Sequence, residues 1–321
     1  MEQVKIGIIG CGGMGTHHAK TIHANEGTSL VGVADMISEK ATALANELGT
    51  KAHTDFHELL PHVDGVMVCT PPFERVDVVV DCAEAGVHIF AEKPIALDLA
   101  AADKMLAATD KANVIMMTGY VLRFTHPFQI LHDTFASGEL GRLVNCWSRR
   151  FMPFDTSERW YGDQAKSGGV ALDFASHDID WVRWVGGEVQ RVFGRVDRVR
   201  PGIMTDEHVH ALFTFAEGLG AIDDSWAPGL GISSIGLVGS EGAMIVGADG
   251  EIRKKIGDAE EEVITPEPGE TIQAHFARCI RDGLTPKVTG HDARQVLATV
   301  LAIQESSRSR IPSATDRSCA R

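Results

Sequence analysis

Lys93 stands in Glu92-Lys93-Pro94, at the close of the apolar run Val87-His88-Ile89-Phe90-Ala91. Desolvating an ammonium is costly unless a partner meets it, so a lysine at the end of an apolar strand commonly snorkels to water. Here Pro94 fixes its own φ and biases Lys93 away from helix. The carboxyl end of a parallel strand also opens on the crevice where such sheets bind ligands. Position therefore favours a functional Lys93. Partners could come from a polar helix expected from about Asp173 to Val185, in which Asp173, His177 and Asp180 at i, i+4 and i+7 share one face. That face could simply be solvated, with Asp173 a favourable charge at the helix N-terminus. Alternatively His177 is a general base oriented by a carboxylate one turn away, since its unperturbed pKa of about 6.5 suits proton removal near neutrality. Spacing alone does not decide; Gly168-Gly169, which let a backbone approach a ligand closely, tip the balance to chemistry.

A metal is the other use for such residues, but Asp-x-x-x-His lacks a third ligand in sequence, and no metal is expected. His208 and His210 share one face of an expected strand, and His17 and His18 are read as structural. Trp160 and Tyr161 could stack on a sugar or simply pack. No G-x-S-x-G elbow or Walker loop occurs.

The elements that must position Lys93 begin at Val4 to Ile9, a short apolar strand running into Gly10-Cys11-Gly12-Gly13-Met14-Gly15 and a helix to about Ala24. This is G-x-G-x-x-G after a strand and opening a helix, a pattern that binds a pyrophosphate on backbone amides. A second strand, Ser29 to Ala34, ends on Asp35, about 20 residues beyond the last glycine, where a carboxylate takes the ribose hydroxyls of an adenosine. That carboxylate repels a 2'-phosphate, and Met36-Ile37-Ser38 offers no cation to welcome one, so NAD is favoured over NADP. Helices (Ser38 to Leu48, Asp55 to Leu60, Glu74 to Ala85, Asp98 to Lys111) then alternate with strands (Gly65 to Cys69, Val87 to Ala91, Val114 to Thr118). Such alternation predicts an α/β, doubly wound parallel Rossmann sheet, residues 1–121.

Residues 122–321 read as an α+β domain. After a helix from Pro127 to Ser137 and a strand from Leu143 to Phe151 comes an aperiodic, partly aromatic segment to Lys166. Period-two strands follow the Gly168-Gly169 helix: Val189 to Val199, Glu207 to Ala216, Leu219 to Trp226, Ser233 to Gly239 and Ala243 to Val246, with turns including Asp249-Gly250. Strands without crossover helices predict an open, predominantly antiparallel sheet. Helices from Glu270 to Asp282 and His291 to Ser307 leave one sheet face uncovered, which suggests a partner subunit; the tail after Ile311 is expected to fray.

The 321 residues carry a formal net charge of -14, which disfavours nucleic acid and anionic membranes. Six cysteines without a C-x-x-C pair fit a reducing cytoplasm, and neither a signal peptide nor a membrane-spanning run is evident. The expectation is a soluble cytoplasmic protein.

The glycine loop, Thr70-Pro71-Pro72, Glu84-Ala85-Gly86 leading into Glu92-Lys93-Pro94, Arg123-Phe124 with Pro127, and Gly168 through Asp180 together resemble the glucose-fructose oxidoreductase, inositol dehydrogenase and rhizopine-catabolism (Gfo/Idh/MocA) family. The resemblance covers nearly the whole chain. It implies NAD(P)-dependent oxidation of a sugar or cyclitol hydroxyl, and a homodimer or homotetramer built through the C-terminal sheet. Lys93, Asp173 and His177 match the catalytic lysine, aspartate and histidine. Arg123 matches a position near the substrate, and Trp160 and Tyr161 join it as candidates. Gly10, Gly12, Gly13, Met14, Gly15, Asp35, Thr70, Pro71, Glu92 and Lys93 are the expected cofactor contacts. Members often carry histidine a few residues after the Thr-Pro, where this chain has Phe73-Glu74-Arg75. Two rivals share the fold: a hydrolase using NAD+ in a transient oxidation, and a nucleotide sensor, which the presence of all three catalytic matches disfavours.

Overall fold

The computed structural model describes residues 3–156, 160–227, 229–247, 250–267 and 269–315. They form two units, Met1–Gly119 with Glu270–Arg294, and Tyr120–Gly269 with Gln295–Arg321.

In the first unit, β1 (Val4–Ile9), α1 (Gly13–Ala24), β2 (Thr28–Ala34), α2 (Ser38–Leu48), β3 (Lys51–His53), β4 (Gly65–Val68), α3 (Arg75–Glu84), β5 (His88–Ala91), α4 (Leu99–Ala112) and β6 (Met116–Thr118) alternate along the chain. The six strands are all parallel in the order β3-β2-β1-β4-β5-β6. Runs of Val, Ile and Met buried on both faces make the central strands, as expected of a sheet covered by helices on each side. The order reverses between β1 and β4, which opens a crevice at their carboxyl ends. Register then does the positioning. Ile9 pairs with Ala34 and Val68, Val68 with Ala91, and Ala91 with Thr118, so Gly10, Asp35, Cys69, Glu92 and Gly119 each stand one residue past the sheet on the same edge.

The second unit opens with α5 (His126–Ala136), β7 (Leu143–Phe151), α6 (Gln164–Ser167), α7 (Gly169–Asp173) and α8 (Ser176–Gly186). There follow β8 (Arg191–Asp197), β9 (His208–Thr214), β10 (Leu219–Ser225), β11 (Ile232–Gly239), β12 (Gly242–Val246), β13 (Ile252–Ile256) and β14 (Glu262–Ile264). The chain ends in α9 (Ile272–Asp282), α10 (Gly290–Ser309) and β15 (Ser313–Ala314). The sheet order is β14-β13-β12-β11-β7-β10-β9-β8-β15, antiparallel except where β7 and β10 run parallel. Cys146, Val192, Val209, Phe213, Ile222, Leu237 and Met244 are buried on one face. On the other, register sets Phe193, Leu212, Ala221, Trp147, Gly236, Ile245, Arg253 and Val263 in one row across eight strands. Phe193, Leu212 and Val263 are 47%, 50% and 54% exposed.

The structure differs from the expected division at one place: residues 270–294, read with the second domain, pack with the first unit. The Phe276 ring of α9 lies 5.9 Å from that of Phe90, and Phe276 and Ile280 pack over Gly65, where a side chain would collide with them. Periodicity shows that α9 buries a face but not which sheet receives it. The strands β3, β13, β14 and β15 were also not anticipated. Lys51-Ala52-His53 and Ile252-Arg253-Lys254-Lys255-Ile256 are short and polar, and they gain strand form from a neighbouring edge. Ser313 and Ala314 pair with β8 where fraying was expected; residues 316–321 and Asp249 of the expected turn lie outside the described residues. Among the described residues no helix is long and apolar enough to cross a membrane.

Candidate active site

The glycine loop joins β1 to α1. Gly10 has φ +95°, a left-handed conformation, and a side chain at Gly15 would place its Cβ 1.8 Å from the Gly10 carbonyl oxygen, so both positions demand glycine. A Cβ built on Gly12 or Gly13 meets nothing within 4 Å, so the loop is bare where α1 begins. Asp35 closes on it: Oδ2 accepts from the Cys11 amide at 2.8 Å and Oδ1 from the Ile37 amide at 2.8 Å. Burial, with the Asp35 charge beside it, pushes the Cys11 thiol up to about 12, so it is neutral at physiological pH and serves as a small packed group. Thr70 follows β4 with a buried hydroxyl that has no hydrogen-bond partner among the described residues. A helix N-terminus stripped of side chains, a carboxylate at the end of β2 and an unsatisfied hydroxyl at the end of β4 fit a dinucleotide. Met14 is exposed on the first turn of α1.

Glu92, one residue past β5, is buried. Its Oε1 lies 2.7 Å from His18 Nε2, its Oε2 accepts from the Lys93 amide at 2.9 Å, and Gln273 Nε2 lies 2.9 Å from His18 Nδ1. Burial pushes the Glu92 carboxyl up, but the His18 hydrogen bond and the charges of His18, Lys93 and Arg75 outweigh it and hold it below the usual carboxylate range. His18, read from sequence as structural, is thus the partner of the residue before Lys93. Lys93 itself is half-buried, and the Lys93-Pro94 peptide bond is cis.

In the second unit the expected helix from Asp173 is two helices. Gly168 and Gly169, with φ +71° and +73°, start α7, which ends at Asp173 when the Val170 carbonyl receives both the Phe174 and Ala175 amides. The chain restarts at Ser176. Asp173 therefore closes one helix while His177 stands in the first turn of the next, and Asp173 is not an N-terminal charge. Asp180 is committed elsewhere. Its carboxylate is gripped in two-point fashion by Arg123, Nε to Oδ2 at 2.8 Å and Nη2 to Oδ1 at 2.6 Å, with both side chains buried and the guanidinium over the Trp184 ring. Arg123 is thereby held against α8.

His177 is half-buried, with the Tyr120 ring edge-on at 5.9 Å. Its neighbour Asp178 was not singled out in sequence, yet it moors the first turn of α8 to β7 by accepting from the Ser148 hydroxyl and, at 2.8 Å, from Arg150 Nε. Arg150 lies over the Phe174 ring, 4.6 Å from its centroid. A run of alternating strand residues gives no sign that Ser148 and Arg150 serve a helix. Trp160 and Tyr161 stack at 4.0 Å, and Tyr161 meets Phe154 edge-on at 5.3 Å; part of this segment, residues 157–159, lies outside the described residues. Among the described residues no group of three metal-ligating side chains occurs.

Two family models match the chain: an oxidoreductase family with an NAD-binding Rossmann fold over residues 4–120, and the Gfo/Idh/MocA C-terminal domain over 128–245. Myo-inositol 2-dehydrogenase of Thermotoga maritima is 29% identical over 94% of this chain and 96% of its own length. The NAD(+) scyllo-inositol 2-dehydrogenase of Bacillus subtilis is 28% identical over 97% and 96%. The fold matches that of levoglucosan dehydrogenase in complex with NADH, with a TM-score of 0.89 at 20% identity over 98% of this chain and 100% of that one. With a glycine loop, Asp35 and Thr70 arranged for a dinucleotide, and with both domains matched, the chain belongs to the Gfo/Idh/MocA family of NAD-binding oxidoreductases.

Proposed function

We propose that the chain oxidises a secondary hydroxyl of a cyclitol, sugar or sugar derivative, with His177, Lys93 and Asp173 as its catalytic residues. NAD+, when bound, accepts the carbon-bound hydride. His177 takes the hydroxyl proton, Lys93 stabilises charge developing on the oxygen, and Asp173 helps orient the hydroxyl, leaving a ketone. Gly10, Gly12, Gly13, Met14, Gly15, Thr70, Pro71 and Glu92 border the cofactor, and Asp35 selects NAD over NADP. Trp160 and Tyr161 offer ring faces to a sugar, and Arg123 shapes the substrate side through its grip on α8. The observation that most supports the reading is end-to-end similarity to two inositol dehydrogenases joined to the Asp35 arrangement at the glycine loop. The exposed Phe193, Leu212 and Val263 of the second sheet support a homodimer or homotetramer, and the free thiols fit a cytoplasmic setting.

The test is NADH absorbance with NAD+ and separately NADP+ across inositols, free sugars, sugar phosphates and nucleotide sugars, with Lys93→Ala and His177→Ala as controls. NADH formed with one substrate class, absent in both variants and weak with NADP+, is the expected result. Sugar released from a nitrophenyl glycoside without net NADH would replace the reading with the NAD-assisted hydrolase. Tight NAD+ binding without either activity would favour the sensor.

A further inference from the structure

Arg75 opens α3 and is 1% exposed. Its guanidinium donates to three main-chain carbonyls, Nη1 to those of Glu92 and Pro94 and Nη2 to that of Thr70. Thr70 follows β4, and Glu92 and Pro94 flank Lys93 just past β5, its parallel neighbour. One side chain thus ties the carboxyl ends of two strands together and holds the peptide unit that precedes Lys93 and the one that follows Pro94. The Glu92 carboxylate adds a bond to the Lys93 amide, and its charge accompanies that of the buried guanidinium. Burying an arginine is expensive, and filling the same space would need only an apolar side chain. What an apolar residue could not supply is donors for three carbonyls. Lysine could not either, because its donors radiate from one nitrogen whereas the guanidinium fork spans separate acceptors.

We propose that Arg75 is a positioning residue for Lys93, an inference that rests on the reading of Lys93 as catalytic. Nothing in the apolar pattern of α3 requires an arginine, and the carbonyls of Thr70, Glu92 and Pro94 that it meets belong to the two loops that carry Thr70 and Lys93. A catalytic ammonium displaced by a fraction of an ångström loses much of its effect on the transition state while cofactor binding, spread over the whole crevice, changes little.

The test uses the full chain with Arg75→Lys and Arg75→Ala, each alone and combined with Lys93→Ala. The substrate is the panel compound turned over fastest with NAD+. For Arg75→Lys, kcat is expected to fall by on the order of a hundredfold, with NAD+ affinity changed by less than about threefold. In the Lys93→Ala background the same substitution should cost nothing further, because a residue acting through Lys93 has nothing left to position. Guanidinium ion added to Arg75→Ala should restore part of kcat. Unchanged kcat, or an equal loss with and without Lys93, would overturn the proposal; undiminished turnover in Lys93→Ala alone would instead remove the catalytic reading of that lysine. A second readout needs no substrate. The rate of Lys93 acetylation by acetic anhydride, followed by mass spectrometry, should change several-fold relative to Lys104 in Arg75→Lys. An unchanged relative rate would show that Arg75 does not hold Lys93, whatever the panel gives.

Discussion

His18 Nε2 and Glu92 Oε1 lie 2.7 Å apart in the interior of the first unit, joining α1 to the residue that precedes Lys93. Gln273 Nε2 lies 2.9 Å from Nδ1 of the same ring. Three segments distant in sequence, at residues 18, 92 and 273, therefore meet on one imidazole, and α9 is drawn into the first unit by a polar contact as well as by Phe276.

Because the folded Glu92 carboxyl is held below its ordinary range, the folded state resists protonation that the unfolded chain accepts. Its stabilisation is full above the unfolded carboxylate pKa of about 4.3 and is lost as pH falls through the depressed folded value. Glu92→Gln should be less stable than wild type at neutral pH by about 1.5–3 kcal/mol, the range for a hydrogen bond to a charged group. The difference should narrow as pH drops below about 4. Urea unfolding across that range reads it; a gap independent of pH would mean that the carboxylate charge contributes nothing.

Asp224 behaves in the opposite sense. Burial first, then the neighbouring Asp178 charge, pushes its carboxyl well above the usual range, and Arg150, by its charge and its amide, does not offset them. Asp224 Oδ2 is buried with no hydrogen-bond partner among the described residues. The folded state keeps a proton that the unfolded chain releases, so stability is full below the unfolded pKa and declines as pH rises toward the folded one. Asp224→Asn removes the titration. It should match wild type near pH ~4 and exceed it by on the order of 1 kcal/mol at pH ~8. A variant that is less stable than wild type at the higher pH would contradict this account.

Breaking the Arg123–Asp180 pair tests how far α8, and His177 with it, depends on that anchor. Asp180→Asn takes the two-point carboxylate away from a buried guanidinium, which should cost about 3–5 kcal/mol. The double change Arg123→Met with Asp180→Leu should recover much of that loss, since it removes both charges. Chemical denaturation measures both; a double variant as unstable as Asp180→Asn would mean that lost packing, not the broken ion pair, dominates.

Much of this architecture is written in local pattern. Val4 to Ile9, Gly10 to Gly15 and Asp35 announce the first βαβ unit because strand, turn and helix each obey short-range rules, and the strand from Leu143 to Phe151 is found at its expected bounds. Departures arise where distant chain decides. The apolar run through Phe174 and Ala175 reads as uninterrupted helix, yet Asp178, fastened to Ser148 and Arg150, fixes where α8 starts. Arg75 draws attention in sequence only as part of Phe73-Glu74-Arg75, where members often carry histidine, and the fold discloses the carbonyls that it meets. Asp180 has the spacing of a site residue and the partner of a structural one.

Asp35 is the group on which cofactor choice should turn. Its carboxylate is tied to the Cys11 and Ile37 amides, so it is held at the end of β2 in one orientation. Asp35→Ser removes both the acceptor for ribose hydroxyls and the charge that repels a 2'-phosphate. NAD+ affinity should fall about tenfold or more, equivalent to roughly 1.4 kcal/mol, while NADP+ affinity holds or rises. Fluorescence titration with each nucleotide decides it, and parallel losses for both would point to collapse of the glycine loop instead.

The row from Phe193 to Val263 predicts how copies of the chain associate. Leu212 lies between Phe193 and Ala221 in register, so a charge there falls between apolar neighbours near one end of the row, while its strand neighbours Ala211 and Phe213 remain buried on the other face. Leu212→Glu should leave the sheet intact, because the substituted side chain projects from a half-exposed position, yet desolvating it against an apolar partner would be costly. If this face joins two copies, sedimentation velocity should show the assembly of the wild-type chain shifting toward monomer in Leu212→Glu and Phe193→Glu, with unfolding by urea little changed. An unaltered sedimentation coefficient in both variants would place the contact on another surface and leave the exposed row unexplained.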